Sequence, residues 1–406
     1  MDRRGFLKGA GVVTVVVAGG GVWRAYESGV FSIGQGPAYE PWKNWREADG
    51  GRLGLVRAAI LAASPHNTQP WLFNVTPAAI DLYLDTQRNV GALDPYLREE
   101  HIGIGCALEN LMLAAAANGF SATASLEPGK LEAIPYDLRP RLVARVGLEP
   151  GMAPGHDLTT HDGTDLPWRR ELYEAIPRRH TNRAAYDPHR PVPADFPEAL
   201  AQLPGDDADV KLFLFSAEAE RKKIAEVSAA ANSEIYADPE VQRGSERWLR
   251  LKWSAVQEHR DGLTVDAFGL PPIAGATAKM MTPRMLQWAA ANGEKDGYTK
   301  LMLSAPLIGF IAVRDRYERA QCLRAGRIWQ RAHLLATARG VAARPCNEAV
   351  EMVDHERALG RPASRVALLN EITGDATWQP TFVFYMGYST LAAHVSPRRS
   401  AESVLI

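Results

Sequence analysis

A short polar loop in the first third of the chain carries side chains suited to a ring with polar edges. Its sequence, Ser64-Pro-His-Asn-Thr-Gln-Pro-Trp71, follows an amphipathic helix predicted over residues 53–63 and precedes a predicted strand. The amides of Asn67 and Gln69 both donate and accept hydrogen bonds, which suits a ring edge on which N–H and C=O groups alternate. The two prolines stiffen the loop. Taken alone, a polar proline-rich loop is usually only a turn.

Two basic clusters supply the charge that an anion would need. The first lies in Pro177-Arg-Arg-His-Thr-Asn-Arg183, and the second follows the last predicted strand. A phosphate dianion suits such residues, because guanidinium groups form charge-assisted hydrogen bonds and a hydroxyl adds a short donor. Charge alone would describe a solvated basic surface equally well. The members of the clusters are Arg178, Arg179, Thr181, Arg183, Arg398 and Arg399.

The elements that position these residues occur twice in the chain. Residues Gly105–Gly119 align without gaps on Gly326–Gly340, and both segments are rich in Ala and Leu at helical spacing. Each ends at a glycine suited to a left-handed helix cap. Two helices that match only in composition would look similar. The β-branched runs around them argue for duplication, because they recur in the same order.

The predicted strands divide evenly between the two copies. They are residues 71–75, 80–85 and 141–147 in the first half, and 210–215, 308–314 and 381–387 in the second. We therefore predict an α+β fold made of two fused halves, residues 41–160 and 161–406. Each half should hold a mostly antiparallel sheet with helices, and a pseudo-twofold axis should relate the halves.

The second half carries a predicted insertion over residues 232–298. It contains Trp248, Trp253 and Trp288, with glycine and proline turns near Gly269. A long aromatic insertion between packed elements is typical of a functional lid, and additional core helices are the alternative.

The first 40 residues differ in composition from the rest. Asp2-Arg-Arg-Gly-Phe-Leu-Lys8 precedes a short apolar run, which resembles a twin-arginine export signal. We expect a signal and tether over residues 1–40, the twin-arginine translocation machinery as a partner, and a periplasmic or membrane-anchored location facing outward. A basic tail before a buried strand is the alternative.

Composition excludes several other classes of protein. The formal net charge is −1, which gives no positive field for nucleic acid. The three cysteines lack the spacing of a metal site, so we expect no metal and no disulfide framework. The glycine fingerprints of nucleotide-binding loops and the motif of serine hydrolases are missing.

The arginine-rich start, the N-x-Q-P-W loop, the glycine-capped helix and the basic C-terminal stretch together resemble the nitroreductase superfamily. The resemblance covers nearly everything from about residue 50 onward. In that family FMN binds at the interface of an obligate homodimer, and this chain looks like such a dimer fused into one polypeptide with a single site. The fused arrangement is similar to the Acg subfamily, whose insertion closes over the flavin.

The resemblance implies a role for each cluster. Arg178, Arg179, Thr181 and Arg183 would hold the FMN phosphate, with help from Arg398 or Arg399. The loop residues would face the isoalloxazine ring, namely Ser64, Pro65, His66, Asn67 and Gln69. The segment Ala305-Pro-Leu-Ile-Gly309, with Pro306, Leu307 and Ile308 as its site residues, would lie where the family presents backbone N–H groups toward flavin N5.

The expected activity is that of an FMN-dependent oxidoreductase, which passes two electrons from a small-molecule donor to a nitroaromatic, quinone or similar acceptor. No side chain has to act as an acid or base in that reaction. The alternative is a non-catalytic protein that binds and sequesters FMN, and an exported protein without a cofactor is a third possibility. We also expect a monomer, because the two halves would satisfy each other's interface.

Overall fold

The computed structural model describes residues 22–46, 51–134, 139–150, 169–282, 284–286 and 295–406. The predicted export motif, the boundary near residue 160 and Trp288 lie outside these residues. None of the helices in the described ranges is long and apolar enough to cross a membrane.

The described residues form ten strands. These are β1 (Trp71–Val75), β2 (Ala79–Leu84), β3 (Phe120–Leu126), β4 (Arg141–Pro150), β5 (Val210–Phe215), β6 (Leu249–Arg250), β7 (Leu263–Thr264), β8 (Leu307–Val313), β9 (Ala342–Pro345) and β10 (Gln379–Gly387). Eight of them build two four-stranded sheets, ordered β1-β2-β4-β3 and β5-β8-β10-β9, and all pairs within these sheets are antiparallel. The two sheets therefore share one topology. The prediction of an α+β fold with two similar halves is confirmed.

The main helices surround these sheets. They are α1 (Arg52–Ala59), α2 (Arg98–Ala117), α3 (Arg169–Ala175), α4 (Phe196–Ala201), α5 (Glu218–Ala237), α6 (Pro239–Glu246), α7 (Trp253–His259), α8 (Pro272–Met280), α9 (Lys295–Leu303), α10 (Arg319–Ala338), α11 (Glu348–Ala358) and α12 (Ser364–Thr373). The largest hydrophobic cluster includes residues of both sheets and of α2 and α10, so the two halves share one core. Helix α2 is buried around its whole circumference over residues 98–115, as expected of a helix in the middle of a core.

Helices α2 and α10 cross at two glycines that the internal repeat aligns with each other. A Cβ atom on Gly105 would lie 2.1 Å from the Leu323 carbonyl oxygen, and a Cβ on Gly326 would lie 2.0 Å from the Ile102 carbonyl oxygen. The two close approaches mirror each other across the pseudo-twofold axis. Only glycine permits this backbone distance, and the distance fixes how the halves dock.

Several elements differ from the sequence predictions. Helix α1 ends at Ala59, four residues before the predicted end, because residues 60–63 turn toward the polar loop. Strands β3 and β9 were not predicted. β3 alternates small and polar residues at an exposed edge, and β9 consists of Ala, Arg and Pro, so neither has the β-branched residues typical of strands. The predicted start of the insertion, residue 232, lies within α5.

Residues 22–42 also differ from the predicted tether. Gly29 packs against Trp253 and its carbonyl accepts a hydrogen bond from Lys279 at 2.9 Å. Gln257 donates to the Gln35 carbonyl at 3.1 Å and accepts from the Ala38 N–H at 3.0 Å. A tether would lack such fixed contacts, so this segment is a strap that joins the insertion to the core.

We predict that Gly105→Ala lowers the free energy of unfolding by about 1–3 kcal/mol or more, which is the usual cost of an overpacked core. The added methyl would meet backbone that cannot rotate away. Gly275→Ala is the matched control, because this glycine lies in α8 with its nearest contact at 3.9 Å. There alanine should stabilise by roughly 0.5–1 kcal/mol through helix propensity. Thermal unfolding of both variants tests the crossing, and similar melting temperatures would contradict it.

Candidate functional site

The polar loop adopts a strained, fixed conformation. His66, Asn67 and Gln69 all lie in the left-handed region, with φ of 45°, 55° and 51°. Such residues cost about 1 kcal/mol or more each and persist only where the surroundings enforce them. Here the Ser64 hydroxyl accepts from the Gln69 N–H at 3.1 Å, and the Thr68 hydroxyl donates to buried Glu100 at 2.9 Å. Strain concentrated in one loop is typical of a ligand site.

The amides of this loop bind the protein itself. The Asn67 amide nitrogen donates to the carbonyls of Gly262 and Pro397 at 3.1 and 3.0 Å, and its oxygen accepts from Arg398. The Gln69 nitrogen donates to the Arg260 carbonyl at 2.8 Å, while its oxygen accepts from the Arg399 N–H at 2.8 Å. Sequence reasoning assigned both amides to a ring edge. In this structure they instead join the insertion to the C-terminal stretch.

Arg179 and Arg398, from the two basic clusters, converge beside the end of α1. Arg179 donates to the Leu61 carbonyl at 3.0 Å and to Nδ1 of His333 at 3.3 Å. Arg398 donates to the Ala62 carbonyl at 3.1 Å. Both side chains are almost fully buried. The structure therefore brings together the loop region of the first half and both basic clusters of the second.

Trp42 forms one wall of this site and was not identified from the sequence. The guanidinium carbons of Arg179 and Arg398 lie 5.9 and 4.7 Å from its ring centre, and the His180 ring contacts its edge at 4.6 Å. Its indole N–H donates to the Ser396 carbonyl at 2.7 Å. Trp42 lies near the start of the predicted first half, residues 41–160, and no local pattern distinguishes it in the sequence.

The other members of the basic clusters lie around this pair. Arg178 is exposed and makes none of the contacts that join Arg179 to α1, among the residues described. Thr181 is partly buried. Arg183 donates to the Ala267 carbonyl at 3.1 Å, and Arg399 donates to the Gln69 carbonyl at 3.2 Å. Of these four residues, Arg183 contacts the insertion and Arg399 contacts the polar loop.

Pro306, Leu307 and Ile308 are placed differently from the prediction. Leu307 and Ile308 are buried in the core at the start of β8, the strand between β5 and β10. Pro306 has no N–H group, and its ring packs against Gly387. Ile308 pairs with both β5 and β10, and Leu307 pairs with β10, so this part of the segment is the first part of a sheet strand.

Burial and mutual repulsion lower the basicity of the arginines. Burial lowers the pKa of Arg179 to about 10. Burial, and then the charge of Arg179, hold the pKa of Arg398 well below its usual value. The pKa of Arg183 falls to about 10 through burial and the nearby charge of Arg344. By contrast, the carboxylates of Asp354 and Glu99 outweigh burial and raise the pKa of Arg98.

Among the described residues, no carboxylate forms an ion pair with Arg179 or Arg398. The Nε atoms of both, and Nδ1 of His180, are buried without a hydrogen-bond partner. An unpaired buried charge costs several kcal/mol on an order-of-magnitude scale, and unmatched buried donors add to that cost. The arrangement therefore fits an anion with several acceptor oxygens.

Histidines near the site are held neutral. Burial, then the charges of Arg179 and Arg398, lower the pKa of His180 to about 3. Burial and the charge of Arg183 lower the pKa of His66 to about 4. Burial, then Arg179, also keeps the pKa of His333 well below its usual value, which suits its Nδ1 as an acceptor for Arg179. His333 is a second site residue that sequence reasoning missed, because it lies in the middle of a core helix.

We predict that the buried, neutral His180 lowers stability increasingly as the pH drops from about 6.5 toward 4. A histidine with a lowered folded pKa takes up a proton first in the unfolded chain, so it costs up to about 1.4 kcal/mol per pH unit in that window. Buried carboxyls such as Asp94, whose pKa burial raises to about 7, act in the opposite direction, so the test compares two slopes and not the sign of the total. The slope of His180→Gln should differ from that of wild type by about one proton. Urea unfolding of the two chains between pH 4.5 and 7 measures the slopes, and equal slopes would refute the assignment.

The insertion closes over the site. Ser245 lies 2.6 Å from Nε2 of His66, and the Gly262 N–H donates to the Asn67 carbonyl at 3.1 Å. Gly269 packs so tightly against residues 183–184 that a Cβ would lie 2.2 Å from the Ala184 nitrogen. Trp248 anchors the insertion on the first half, where its indole N–H donates to the Asn89 carbonyl at 2.8 Å. The described part of the insertion thus contacts both the loop and the arginine-rich stretch.

No protein-family model matches the chain. Over 133 residues it is 32% identical to two Mycobacterium tuberculosis proteins, MT3217 of strain CDC 1551 and Rv3131 of strain H37Rv, which are provisionally named NAD(P)H nitroreductases. The match covers 32% of this chain and 33% of each relative, so the chain spans about a third of the length of the curated relatives it matches.

Solved structures with some likeness are also named nitroreductases. NfnB from Mycobacterium smegmatis, in complex with NADPH, has a TM-score of 0.36 at 17% identity and covers 58% of this chain and 96% of its own. A protein from Anabaena variabilis has a TM-score of 0.46 at 12% identity and covers 86% and 91%. The names of the two Mycobacterium tuberculosis relatives agree with the resemblance to the nitroreductase superfamily over the 133 matched residues.

Proposed function

We propose that this chain is an FMN-dependent oxidoreductase of the nitroreductase type. The observation that supports it best is the buried pair Arg179 and Arg398, which meets the polar loop and lacks a carboxylate partner. A flavin mononucleotide phosphate would supply that negative charge. It would also supply acceptors for the unpartnered Nε atoms.

The side chains that the structure brings together at this site fit the phosphate of FMN better than its isoalloxazine ring. Arg179, Arg398 and Trp42 would hold the phosphate, with Thr181 and Arg183 at its border. Bound FMN would supply two-electron transfer from a reduced nicotinamide or similar donor to a nitroaromatic, quinone or similar acceptor. The Asn67 and Gln69 amides are already engaged within the protein, so their part is to fix the loop and the covering segment. The ring would then meet mainly loop backbone and His66.

A second candidate function is the binding and sequestration of FMN without turnover. The closed insertion favours it, since residues 260–262 hydrogen-bond directly to the loop amides. A covering segment held in this way limits access of a second substrate. Whether turnover occurs depends on how often these hydrogen bonds open.

The same proposal includes the oligomeric state, the cellular location and the small-molecule partners of the protein. The fused halves would make the chain a monomer that mimics a family homodimer. The N-terminal motif would direct export by the twin-arginine machinery, with the folded protein outside the cytoplasm or anchored to the membrane. Electron donor and acceptor would both be small molecules that approach from the insertion side.

We expect the purified chain to be yellow with about one FMN, and to bleach with dithionite and with NADPH; this stoichiometry follows from one composite arginine site. Arg398→Met should weaken FMN binding on the order of 100-fold, because it removes a buried charge-assisted donor. In the flavin-free chain the same variant should not lower the free energy of unfolding, since an unpaired buried charge disappears with the side chain.

Arg178→Met is the matched control, because Arg178 is exposed. It should leave FMN affinity nearly unchanged. If the flavin-free Arg398→Met variant binds FMN as tightly as wild type, the proposed phosphate site is excluded. If the wild-type chain binds two flavins, the single-site arrangement is excluded.

Loosening the insertion distinguishes the two candidate functions. Asp261 accepts from Arg250 at 2.9 and 2.7 Å and pairs with Arg88, beside the residues that bind the loop. Asp261→Asn should speed FMN release by about tenfold, since weakening a buried ion pair costs roughly 1–3 kcal/mol. Asp209→Asn, which loses a partly exposed pair with Arg324, should not change the release rate.

The anaerobic NADPH titration then assigns the role of the lid. A reductase is bleached by NADPH in the wild-type chain. If only Asp261→Asn is bleached, the closed insertion sequesters the flavin. If neither is bleached although dithionite reduces both, NADPH is not the donor.

A further inference from the structure

Glu100 is a fully buried carboxyl beside the polar loop, and the proposed function gives it no role. It lies in the first turn of α2, and its Oε2 accepts a hydrogen bond from the Thr68 hydroxyl at 2.9 Å. Its Oε1 is buried and has no hydrogen-bond partner among the described residues. A buried carboxylate needs donors for both oxygens, because nothing else replaces the water it has lost. One donor for two oxygens fits a neutral acid better than a charged one.

The groups around Glu100 also oppose its ionisation. Asp94 takes the backbone donors at the start of α2, since it accepts from the N–H groups of residues 98, 99 and 100 at 2.9, 2.9 and 3.2 Å. Burial, and then the charge of Asp94, raise the pKa of Glu100 well above its usual value, and Glu99 acts in the same direction. The Thr68 hydrogen bond and the charge of Arg88 act against these effects without cancelling them. The surroundings therefore favour the protonated, neutral form of Glu100.

Thr68 connects Glu100 to the insertion. Its carbonyl accepts from Nε of Arg88 at 2.6 Å, and Arg88 forms an ion pair with Asp261 of the insertion. Asp261 also accepts hydrogen bonds from Arg250. The strained residues on both sides of Thr68 hydrogen-bond the carbonyls of residues 262 and 260. The carboxyl, the polar loop and the insertion thus belong to one continuous hydrogen-bonded network.

We propose that Glu100 is a positioning residue whose neutral carboxyl holds the polar loop and the insertion closed. A charge on Glu100 would leave Oε1 as an anionic oxygen without a donor, next to other carboxyls. It would draw in water or the Arg88 guanidinium. Arg88 is bound to Thr68 and Asp261 in the closed form, so recruiting its guanidinium breaks at least one of those contacts. Loss of the proton therefore loosens the insertion. The closure follows from these contacts, whereas its consequence for FMN rests on the proposed function.

Infrared spectroscopy of the full chain tests the protonation state at pH 6. The difference between wild type and Glu100→Gln should show the loss of the C=O stretching band of a protonated carboxyl, because glutamine removes that group. Glu149→Gln is the matched control, since Glu149 is exposed at the end of β4 and should lose carboxylate bands instead. If Glu100→Gln also loses carboxylate bands, Glu100 is ionised in the closed chain and the proposal is overturned.

Hydrogen exchange tests the network, with residues 66–69 reporting on the loop and residues 260–264 on the insertion. Thr68→Val removes the hydroxyl that Glu100 binds and leaves the carboxyl without its partner, so exchange should be about tenfold faster in both segments. Thr123→Val, at an exposed position of β3, should leave both unchanged. Glu100→Gln should match wild type at pH 6, because a neutral amide oxygen still accepts from Thr68. Faster exchange of Thr68→Val in the loop alone would contradict the link to the insertion, whether or not Glu100→Gln folds.

A pH series joins the two measurements. Intrinsic exchange speeds up with pH, and Asp94, whose pKa burial raises to about 7, titrates in both chains, so wild type and Glu100→Gln are compared at the same pH. Between pH 6 and 9 the ratio of their exchange rates should rise where the protonated-carboxyl band of Glu100 disappears, by up to about tenfold per pH unit for a single proton. A ratio that stays constant while the band disappears would exclude the proposal, as would a ratio that rises while the band remains.

The flavin proposal can fail separately, because neither measurement needs FMN. If the chain binds FMN, its release from wild type should speed up with the same transition, and its release from Glu100→Gln should not. Release that depends on pH equally in both chains would refute the positioning role of Glu100 at the flavin site. If the chain binds no FMN, the infrared and exchange results still decide whether Glu100 closes the loop and the insertion.

Discussion

The close crossing of α2 and α10 is the constraint on which the rest of the molecule depends. Two glycines, Gly105 and Gly326, let the backbones approach to a distance that no side chain permits. This contact brings the end of α1 in the first half against α10 of the second. It therefore decides that Leu61, a residue of one half, and His333, a residue of the other, can bind the same guanidinium. The composite site exists because the halves dock in this way.

The second consequence of the crossing is energetic. Burying the halves against each other removes Arg179 and Arg398 from water, and the acceptors that the described residues supply for them are neutral. Elsewhere the chain balances buried arginines with carboxylates, as Arg98 with Asp354 at 2.6 Å. A protein selected only for stability would tend to remove such an uncompensated pair. Its presence is thus better explained by binding than by folding.

Much of the fold could be predicted from the sequence, and the site only in part. The gapless match of two Ala-rich helices, together with runs of aromatic and β-branched residues such as Phe382-Val383-Phe384, identified the duplication, because helix and strand periodicity are local properties. The basic clusters were identified from charge. Arg179 and Arg398 were not separated from their neighbours Arg178 and Arg399, because burial depends on which face packs against α1.

Other residues of the site have no local signal. Trp42 and His333 reach it from distant parts of the chain, and the hydrogen bonds of Asn67 depend on where the insertion lies. The Asn67 and Gln69 amides illustrate the limit of residue chemistry. A side-chain amide that can hydrogen-bond the edge of a flavin ring can equally hydrogen-bond backbone carbonyls. The sequence alone does not indicate which of these partners lies within reach in the folded chain.

The strap formed by residues 22–42 sets a limit on maturation of the protein. The Gly29 carbonyl accepts a hydrogen bond from Lys279 of the insertion, and the Ala38 carbonyl accepts one from the Arg398 N–H at 2.8 Å. The Trp42 ring packs against the guanidinium of Arg398. A peptidase that removed the predicted leader beyond residue 28 would take away the fastening of the insertion, and one that cut beyond residue 42 would also open the anion site to water. The strap is therefore compatible with removal of the predicted leader only if the cut falls before Gly29, so contacts far from the predicted export motif limit where a peptidase can act.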